Sequence, residues 1–261
     1  MNKTKIDWCD STWNPVVGCL HGCPYCYARK MTTRFGTMQE DRSGYGETHY
    51  NAKLHCLETR IDGNPYPYLF EPTFFRYKLD EPRRKEKKET IFVCSMADLF
   101  GDWVPDEWIE DVFRAVQSAP QHRYMFLTKN PERYKDLPAS CFNGISEIWF
   151  GTTITKSDEI GRVRDLFKAI EIHKRVYIFA SVEPLMENLE QPGLLKYLDW
   201  VIIGAETGNR AGKVVPEKAW VENIVHTSKL LYTPVFMKES LRGIMGEDFW
   251  QEFPWREGGV K

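Results

Sequence analysis

Three cysteines within eight residues are the part of this sequence best suited to chemistry. They are Cys19, Cys23 and Cys26, and their spacing is C-x3-C-x2-C. Thiolate is the preferred protein ligand of iron–sulfur clusters, so the spacing predicts three irons of a four-iron cubane held by protein. The fourth iron then lacks a protein ligand, which leaves a position for a substrate or cofactor. Gly18 and Gly22 suit a loop with unusual backbone angles around such a group.

A zinc site is the main alternative for this motif, with Cys9 or His21 as a fourth ligand. Structural zinc sites usually pair two short hairpins of ligands, and no second pair is evident here. We interpret His21 as a packing or supporting residue and not as a ligand. The other cysteines, Cys56, Cys94 and Cys141, lack partners at ligand spacing, so we predict a single cluster.

The chain has 7 cysteines, an odd number, and such clustering indicates metal binding or catalysis in a reducing compartment. The net charge of −2 and the pI of about 6.3 argue against a protein that grips nucleic acid mainly by charge. The sequence contains neither a signal-peptide pattern nor an apolar run long enough to span a bilayer. We expect a soluble, cytoplasmic protein without a membrane partner.

From Thr90 onward, short apolar runs recur between stretches of helical periodicity. Continuous apolar character predicts strands buried on both faces, as in a parallel sheet, and alternation with helices predicts βαβ units. The runs are Ile91–Cys94, Tyr124–Leu127, Ile148–Phe150, Val176–Phe179, Trp200–Ile203 and Pro234–Met237. The helices are expected at Glu107–Ser118, Asp158–Ile170 and Glu217–Leu231.

Polar residues follow each of these runs. Any buried strand must end in something polar, but six such ends in succession favour a common polar mouth, where parallel strands place active sites. In chain order the residues are Ser95 and Asp98, Thr128 and Lys129, Thr152 and Thr153, Ser181 and Glu183, Glu206 and Thr207, and Lys238 to Ser240.

The cysteine motif, with Tyr25 directly before its third cysteine, resembles the signature of the radical SAM superfamily. Further segments resemble an uncharacterised, phage- and prophage-associated family of radical SAM-like proteins, and the likeness runs from about residue 5 to residue 240. The segments are Thr12–Pro15, Cys94–Phe100, Phe126–Pro131, Ser181–Leu185 and Trp200–Gly208.

The resemblance implies a fold and a chemistry. The fold is a partial α/β barrel of about six strands, a (β/α)6-type radical SAM barrel in one domain, with its first strand within Trp13–Gly18. An irregular insert at about 36–89 lies over the barrel, and residues from about 240 to 261 cap it. The chemistry is reductive cleavage of S-adenosylmethionine (SAM) at a 4Fe–4S cluster to give a 5′-deoxyadenosyl radical, with flavodoxin or ferredoxin as the type of reductant.

The resemblance also implies SAM-binding positions, although it identifies no catalytic residue. The superfamily usually has a Gly-Gly-Glu-type motif after the second strand, whereas this chain has Ser95-Met96-Ala97-Asp98. Asp98 and Ser95 are expected at the SAM amino group; an equal alternative for Asp98 is a helix N-cap before Leu99.

The remaining SAM positions follow other strand ends. Lys129 is expected at the SAM carboxylate, unless it is a solvated lysine in its turn. Ser181 and Glu183 suit the ribose hydroxyls, with a strand-end turn as the alternative for Glu183. Glu206 is expected near adenine or ribose, and Tyr25 beside adenine through its backbone.

The substrate is the least determined element. Phage association suggests a nucleic acid base or nucleotide as substrate, with DNA as a partner. Two basic patches agree with this: one is formed by Arg29, Lys30 and Arg34, the other by the run Arg83–Lys88. Aromatic residues of the insert can stack on bases. A solvated turn, aromatics that cover the barrel, and a peptide or small metabolite as substrate are the alternatives. Two other classes stay open: a barrel hydrolase that uses Glu183 and Glu206 as a carboxylate pair, and a zinc-stabilised binding module.

Overall fold

The computed structural model describes residues 1–39, 53–144, 147–171, 176–190 and 192–256. The chain forms two compact units. Unit 1 comprises Met1–Lys5, Cys9–Thr128 and Pro138–Glu147. Unit 2 comprises Ile6–Trp8, Lys129–Leu137 and Ile148–Lys261. The single-domain organisation stays a prediction.

Unit 1 contains a mostly parallel group of strands. Its elements are β1 (Asn2–Lys3), β2 (Ser11–Trp13), β3 (Val16–Val17), α1 (Tyr27–Phe35), β4 (His55–Leu57), β5 (Thr73–Phe75), β6 (Thr90–Val93), α2 (Asp106–Gln117) and β7 (Arg123–Thr128). Strand β2 pairs antiparallel with β1 and parallel with β6, and β6 pairs parallel with β7. Buried apolar residues line one side of α2, as its spacing predicts.

The predicted position of the first strand is wrong except at Trp13. The strand that pairs with β6 is β2, whereas β3 pairs antiparallel with β5 in a second sheet. Pro15 lies between β2 and β3, where its missing N–H cannot continue a ladder. Its carbonyl instead accepts a hydrogen bond of 2.7 Å from the backbone N–H of Phe75.

The described part of the predicted insert is regular. Strands β3, β5 and β4 form a three-stranded sheet in that order, and short 3₁₀ helices follow at Arg76–Lys78 and Pro82–Arg84. Buried His55 stacks on Tyr68 with ring centroids 3.7 Å apart, and its Nε2 lies 2.6 Å from an oxygen of Glu71. Residues 40–52 of the predicted insert, with Tyr45 and Tyr50, lie outside the described residues.

Unit 2 is built on a parallel four-strand group. Its elements are β8 (Glu147–Ile154, whose first residue belongs to unit 1), α3 (Arg162–Ile170), β9 (Val176–Val182), β10 (Trp200–Ile203), α4 (Lys218–Leu230), β11 (Val235–Met237) and α5 (Arg242–Met245). The strands are parallel and ordered β8-β9-β10-β11. Together with β6 and β7 they confirm all six predicted strands, and α2, α3 and α4 confirm the three predicted helices. Closure into a six-strand partial barrel stays a prediction.

The segment around Trp250 and Gln251 lies against strand β11. Gln251 forms an antiparallel bridge with Phe236, and the N–H of Met237 donates to the carbonyl of Trp250 at 3.0 Å. Phe253 and Trp255 pack on Trp200, with ring centroids 5.9 and 5.0 Å away. None of the described helices is long and apolar enough to cross a membrane.

The aromatic core of unit 2 gives the first prediction. Trp200 is fully buried, and its ring contacts those of Trp8, Trp149 and Phe179 besides the C-terminal aromatics. Replacing it by alanine (Trp200→Ala) leaves a large cavity, so we expect the free energy of unfolding in urea to fall by about 3–5 kcal/mol. Leu230→Ala, at a residue 67% exposed, is the control, and its effect should stay within about 0.5 kcal/mol. Equal losses in the two variants would contradict a core centred on Trp200.

Candidate functional site

The cysteine loop of unit 1 has the backbone that its glycines predict. Gly18 and Gly22 have φ angles of +96° and +68°, in the left-handed region that favours glycine. A Cβ atom at Gly18 would lie 2.4 Å from the carbonyl oxygen of Glu71, which is backbone and cannot yield. Position 18 therefore requires glycine both for conformation and for space.

The third cysteine of the motif also starts a helix. Cys26 is the N-cap of α1, and its Sγ accepts a hydrogen bond of 3.5 Å from the backbone N–H of Arg29. The N–H of Cys26 donates to the carbonyl of Cys23 at 3.2 Å. The guanidinium of Arg29 donates to the carbonyl of Cys19 at 3.5 Å and lies 4.8 Å from the ring centre of Phe70. These bonds tie the loop to the first turn of α1.

The three cysteine side chains are half-buried over an apolar floor. Cys19 and Cys26 pack against a buried cluster formed by Val17, Ala28, Phe70, Phe75 and Met96. Burial, the nearby carboxylate of Asp98 and the charges of Cys23 and Cys26 raise the pKa of Cys19 to about 12. Cys23 and Cys26 therefore lie close enough to Cys19 to affect its ionisation.

The donor set fits an iron–sulfur cluster. It consists of three soft thiols on one loop, partly shielded from water, with a backbone N–H directed at one sulfur. Burial and hydrogen bonds to sulfur are among the factors that set the reduction potential of such clusters. Within the ranges that the structure describes, no three His, Cys, Asp or Glu side chains form a group that could hold one metal ion.

The turn after β6 lies against this loop within unit 1. The N–H of Gly18 donates to the carbonyl of Met96 at 3.0 Å. The side-chain oxygen of Asn14 accepts from the hydroxyl of Ser95 at 3.1 Å and from the N–H of Met96 at 3.0 Å. The hydroxyl of Tyr27 donates to the carbonyl of Ser95 at 2.5 Å. Sequence reasoning gave Asn14 no role; its place beside Pro15 in a family segment was the available signal.

Asp98 is buried at the end of this turn and joins it to the cysteine loop. Nε2 of His21 donates to its Oδ2 at 2.7 Å, and the N–H of Phe100 donates to its Oδ1 at 3.1 Å. The His21 ring also packs edge-on to Trp103, with centroids 4.9 Å apart. The N-cap alternative is wrong, because turns follow Asp98 and α2 begins only at Asp106. The supporting role predicted for His21 agrees with these contacts.

In unit 2, polar residues after strands β9, β10 and β11 come together. Lys238 forms an ion pair with Glu183, with Nζ and Oε1 2.5 Å apart. The N–H of Ala205 donates to the hydroxyl of Ser240 at 3.0 Å. A Cβ atom at Gly204 would lie 2.9 Å from the Glu183 carboxyl, so a glycine there leaves room for that side chain. The sequence predicted the gathering of these ends but not the pairing of Lys238 with Glu183.

Glu206 follows strand β10, and both of its carboxyl oxygens accept hydrogen bonds from Arg210. Nε of Arg210 donates to its Oε1 at 2.7 Å and a terminal nitrogen donates to its Oε2 at 2.8 Å. The same guanidinium donates to the carbonyls of Ala211 and Gly212. This bidentate pair holds the pKa of the buried Glu206 carboxyl below its usual value. Arg210 is a residue that sequence reasoning missed.

The other predicted positions are more dispersed. Ser181 is buried in β9, in register with Thr153 of β8 and Ile202 of β10. Lys129 is half-buried directly after β7. Its charge acts on Glu159: burial raises the pKa of that carboxyl, but hydrogen bonds from Thr155 and the charge of Lys129 leave the pKa below its usual value. Tyr25 is half-buried in the cysteine loop of unit 1.

Comparisons with known proteins place this geometry in context. A family model described as "Protein of unknown function (DUF5131)" matches residues 3–243. The chain is similar in structure to spore photoproduct lyase complexed with dinucleoside spore photoproduct, with a TM-score of 0.53 and 12% identity, covering 90% of this chain and 78% of that one. A mutant of that lyase with bound AdoMet and dinucleoside spore photoproduct gives 0.51 and 11% over the same shares. At these identities the likeness shows the fold alone. No curated protein sequence matches the chain.

The raised pKa of Cys19 gives a test in the cluster-free chain. The thiolate is the reactive form, so at about pH 8 Cys19 should be alkylated by iodoacetamide about tenfold to a hundredfold more slowly than a cysteine in a reference peptide. Asp98→Asn removes a charge that raises this pKa, so it should speed the reaction. Asp102→Asn, at an exposed position, is the control and should not. Mass spectrometry of the alkylated peptides measures the rates; a rate equal to that of the reference peptide would contradict the burial argument.

The Glu206–Arg210 pair gives a pH-dependent test of stability. Arg210→Gln should lower the free energy of unfolding near neutral pH, because Glu206 loses the partner that stabilises its charged form. A carboxyl whose pKa is depressed in the folded state loses that stabilisation as the pH falls through its folded value. The difference between the two proteins should therefore shrink below about pH 4.3, the ordinary glutamate pKa. Urea unfolding at several pH values measures it.

The double variant Glu206→Gln/Arg210→Gln is the control for this measurement. With the carboxyl absent, the stability change relative to Glu206→Gln should not vary with pH over that range. A pH-independent loss in Arg210→Gln alone would mean that packing, and not the ion pair, explains its effect.

Proposed function

We propose that this chain, which belongs to the DUF5131 family of proteins of unknown function, is a radical SAM enzyme that acts on a nucleic acid base or nucleotide. The observation that carries the proposal is the cysteine loop of unit 1. Its three thiols lie half-buried over an apolar floor, and the loop is bonded to the turn after strand β6. The likeness in fold to a lyase solved with AdoMet supports the superfamily.

Cys19, Cys23 and Cys26 would hold a 4Fe–4S cluster. When bound, the cluster supplies one electron for the reductive cleavage of SAM, which yields the 5′-deoxyadenosyl radical. The chain's own part is to hold the thiolates in place, and the raised pKa of Cys19 means that this cysteine must lose its proton as it takes up iron. The apolar floor limits water at the loop, which protects a reactive radical from side reactions.

Ser95 and Asp98 would receive the amino group of SAM in place of the superfamily's usual motif. Asp98 already accepts from His21 and from the N–H of Phe100, yet a carboxylate has about four acceptor positions, so it can take a further donor. His21 would act as a positioning residue, because its hydrogen bond fixes the orientation of that carboxylate. Tyr25 would contact adenine through its backbone.

Four residues of unit 2 carry the other roles in the proposal. Lys129 would pair with the SAM carboxylate, and Ser181 and Glu183 would bind the ribose hydroxyls. Glu206 would lie near adenine or ribose; because Arg210 occupies both of its carboxyl oxygens, the approach there would be through the backbone of the Gly204–Gly208 segment.

A barrel hydrolase based on Glu183 and Glu206 is less well supported. Such enzymes need a carboxylic acid whose pKa is raised, so that it can donate a proton. Glu183 is paired with Lys238, and Arg210 holds the pKa of Glu206 below its usual value. The environment of Glu206 therefore does not favour the protonated form.

The substrate class rests on the named ligand of the structural neighbours. Those lyases were solved with dinucleoside spore photoproduct, which is a nucleic acid fragment. The second basic patch, Arg83–Lys88, gives little support of its own. Two of its lysines are paired, Lys85 with Glu89 and Lys88 with Glu147, as in a solvated, charge-rich turn.

The test is anaerobic reconstitution with iron and sulfide, followed by reduction with dithionite and addition of SAM. We expect a brown protein that forms 5′-deoxyadenosine, measured by chromatography, and a triple Cys19→Ala/Cys23→Ala/Cys26→Ala variant that forms essentially none. Cys9→Ala/Cys56→Ala is the matched control, since both cysteines lie outside the motif, and it should retain the activity of the unaltered chain.

Adding DNA oligonucleotides or a dinucleoside to this assay tests the substrate class. A substrate should increase 5′-deoxyadenosine formation and appear as a product of altered mass. A colourless protein that holds zinc and forms no 5′-deoxyadenosine would overturn the radical SAM proposal. Turnover that responds to a peptide but to no nucleic acid would overturn only the substrate class.

A further inference from the structure

Helix α1 carries an exposed apolar stripe. Tyr27, Met31 and Phe35 are spaced by four residues, so they lie along one side of the helix, and they are 49%, 40% and 49% exposed. Met38, just beyond the helix, is 50% exposed. These are four of the nine large hydrophobic side chains exposed among the described residues. Such a concentration on one short segment indicates an interaction surface.

The same side of α1 is basic. Lys30 and Arg34 flank the stripe and are exposed, and among the described residues neither forms an ion pair. The helix contains Arg29, Lys30 and Arg34 but no acidic residue, although the chain as a whole has a net charge of −2. The positive charge is therefore local to this surface, and it would attract an acidic partner.

This surface begins at a predicted cluster ligand. Cys26 is the N-cap of α1, so Lys30 and Arg34 lie about 6 and 12 Å along the helix axis from it. An electron passes between proteins only over short distances, so the donor must dock close to the cluster. Interfaces between redox proteins are small and transient, and methionine and aromatic residues are enriched in protein interfaces.

We propose that the exposed side of α1, formed by Tyr27, Lys30, Met31, Arg34 and Phe35, is the docking surface for a small acidic electron-transfer protein. The proposal rests on the proposed function, because it assigns to α1 the delivery of the electron that SAM cleavage consumes. One electron leaves the reduced donor, which is oxidised, and enters the oxidised cluster, which is reduced. A nucleic acid fits this side less well, since two cations neutralise few phosphates.

The test uses the cluster-loaded chain and reduced flavodoxin as the probe. In the variant Lys30→Glu/Arg34→Glu the second-order rate constant of cluster reduction, followed by absorbance, should fall by about tenfold or more at low salt. Added salt should slow the reaction of the unaltered chain and affect the variant less. The affinity of labelled flavodoxin for the chain, measured by fluorescence titration, should weaken in parallel.

The matched control is Arg83→Glu/Lys87→Glu. It changes the net charge by the same amount, at exposed residues that form no ion pair within the described part of the chain. Its rate constant of cluster reduction by flavodoxin should stay within about twofold of that of the unaltered chain. Equal slowing in both double variants would overturn the docking site, because net charge alone would explain the effect.

Dithionite separates this proposal from the one on which it rests. With dithionite as reductant, Lys30→Glu/Arg34→Glu should form 5′-deoxyadenosine as fast as the unaltered chain. If the unaltered chain forms none with dithionite, the proposed function fails. If it does, and flavodoxin reduces variant and unaltered chain equally fast, only the docking site fails.

Two further measurements can overturn the proposal. Met31→Ser/Phe35→Ser should weaken flavodoxin binding without lowering Tm; a large fall in Tm would mean that these side chains pack inside the protein. Fluorescence anisotropy with a labelled single-stranded oligonucleotide should be unchanged by Lys30→Glu/Arg34→Glu. Loss of oligonucleotide binding with unchanged reduction by flavodoxin would assign the surface to nucleic acid.

Discussion

The turn that follows strand β6 is the point to which the cysteine loop of unit 1 is fixed. Hydrogen bonds join it to the segment before the loop, to the loop itself and to the helix after it. They link Asn14 to Ser95 and Met96, Gly18 to Met96, His21 to Asp98, and Tyr27 to Ser95. Cys94 starts the turn with a φ of +55°, a conformation that costs a non-glycine residue about 1–3 kcal/mol and persists only where the surroundings require it. The position of the thiols therefore depends on the end of a strand some seventy residues later in the chain.

The sequence predicted the repeating part of the fold because buried parallel strands and amphipathic helices have strong local patterns. All six apolar runs are strands, and Trp200–Ile203 has the predicted bounds. The first strand was misplaced because Val16 and Val17 are apolar and lie next to the motif, yet Pro15 separates them from β2. Strand pairing is a long-range property, and local composition cannot determine which sheet a two-residue strand joins.

The candidate site was predicted in its residue types and less well in its partners. The glycine conformations at Gly18 and Gly22 follow from local chemistry, and both are as expected. The pairs Glu183–Lys238 and His21–Asp98 join residues more than fifty positions apart, so no spacing rule could find them. Arg210 lies four residues from Glu206, but that spacing indicates an ion pair only on a helix, and this segment is not helical.

The close approach of Gly18 to Glu71 has a consequence for how this family can diverge. A Cβ atom at position 18 would lie only 2.4 Å from the carbonyl oxygen of Glu71. The backbone of the cysteine loop therefore packs directly against the backbone that precedes β5. Neither can change its backbone path alone. Recombination between distant family members should therefore tolerate crossover points outside the interval from Gly18 to Phe75 far better than points within it, and the interval should be inherited as one block.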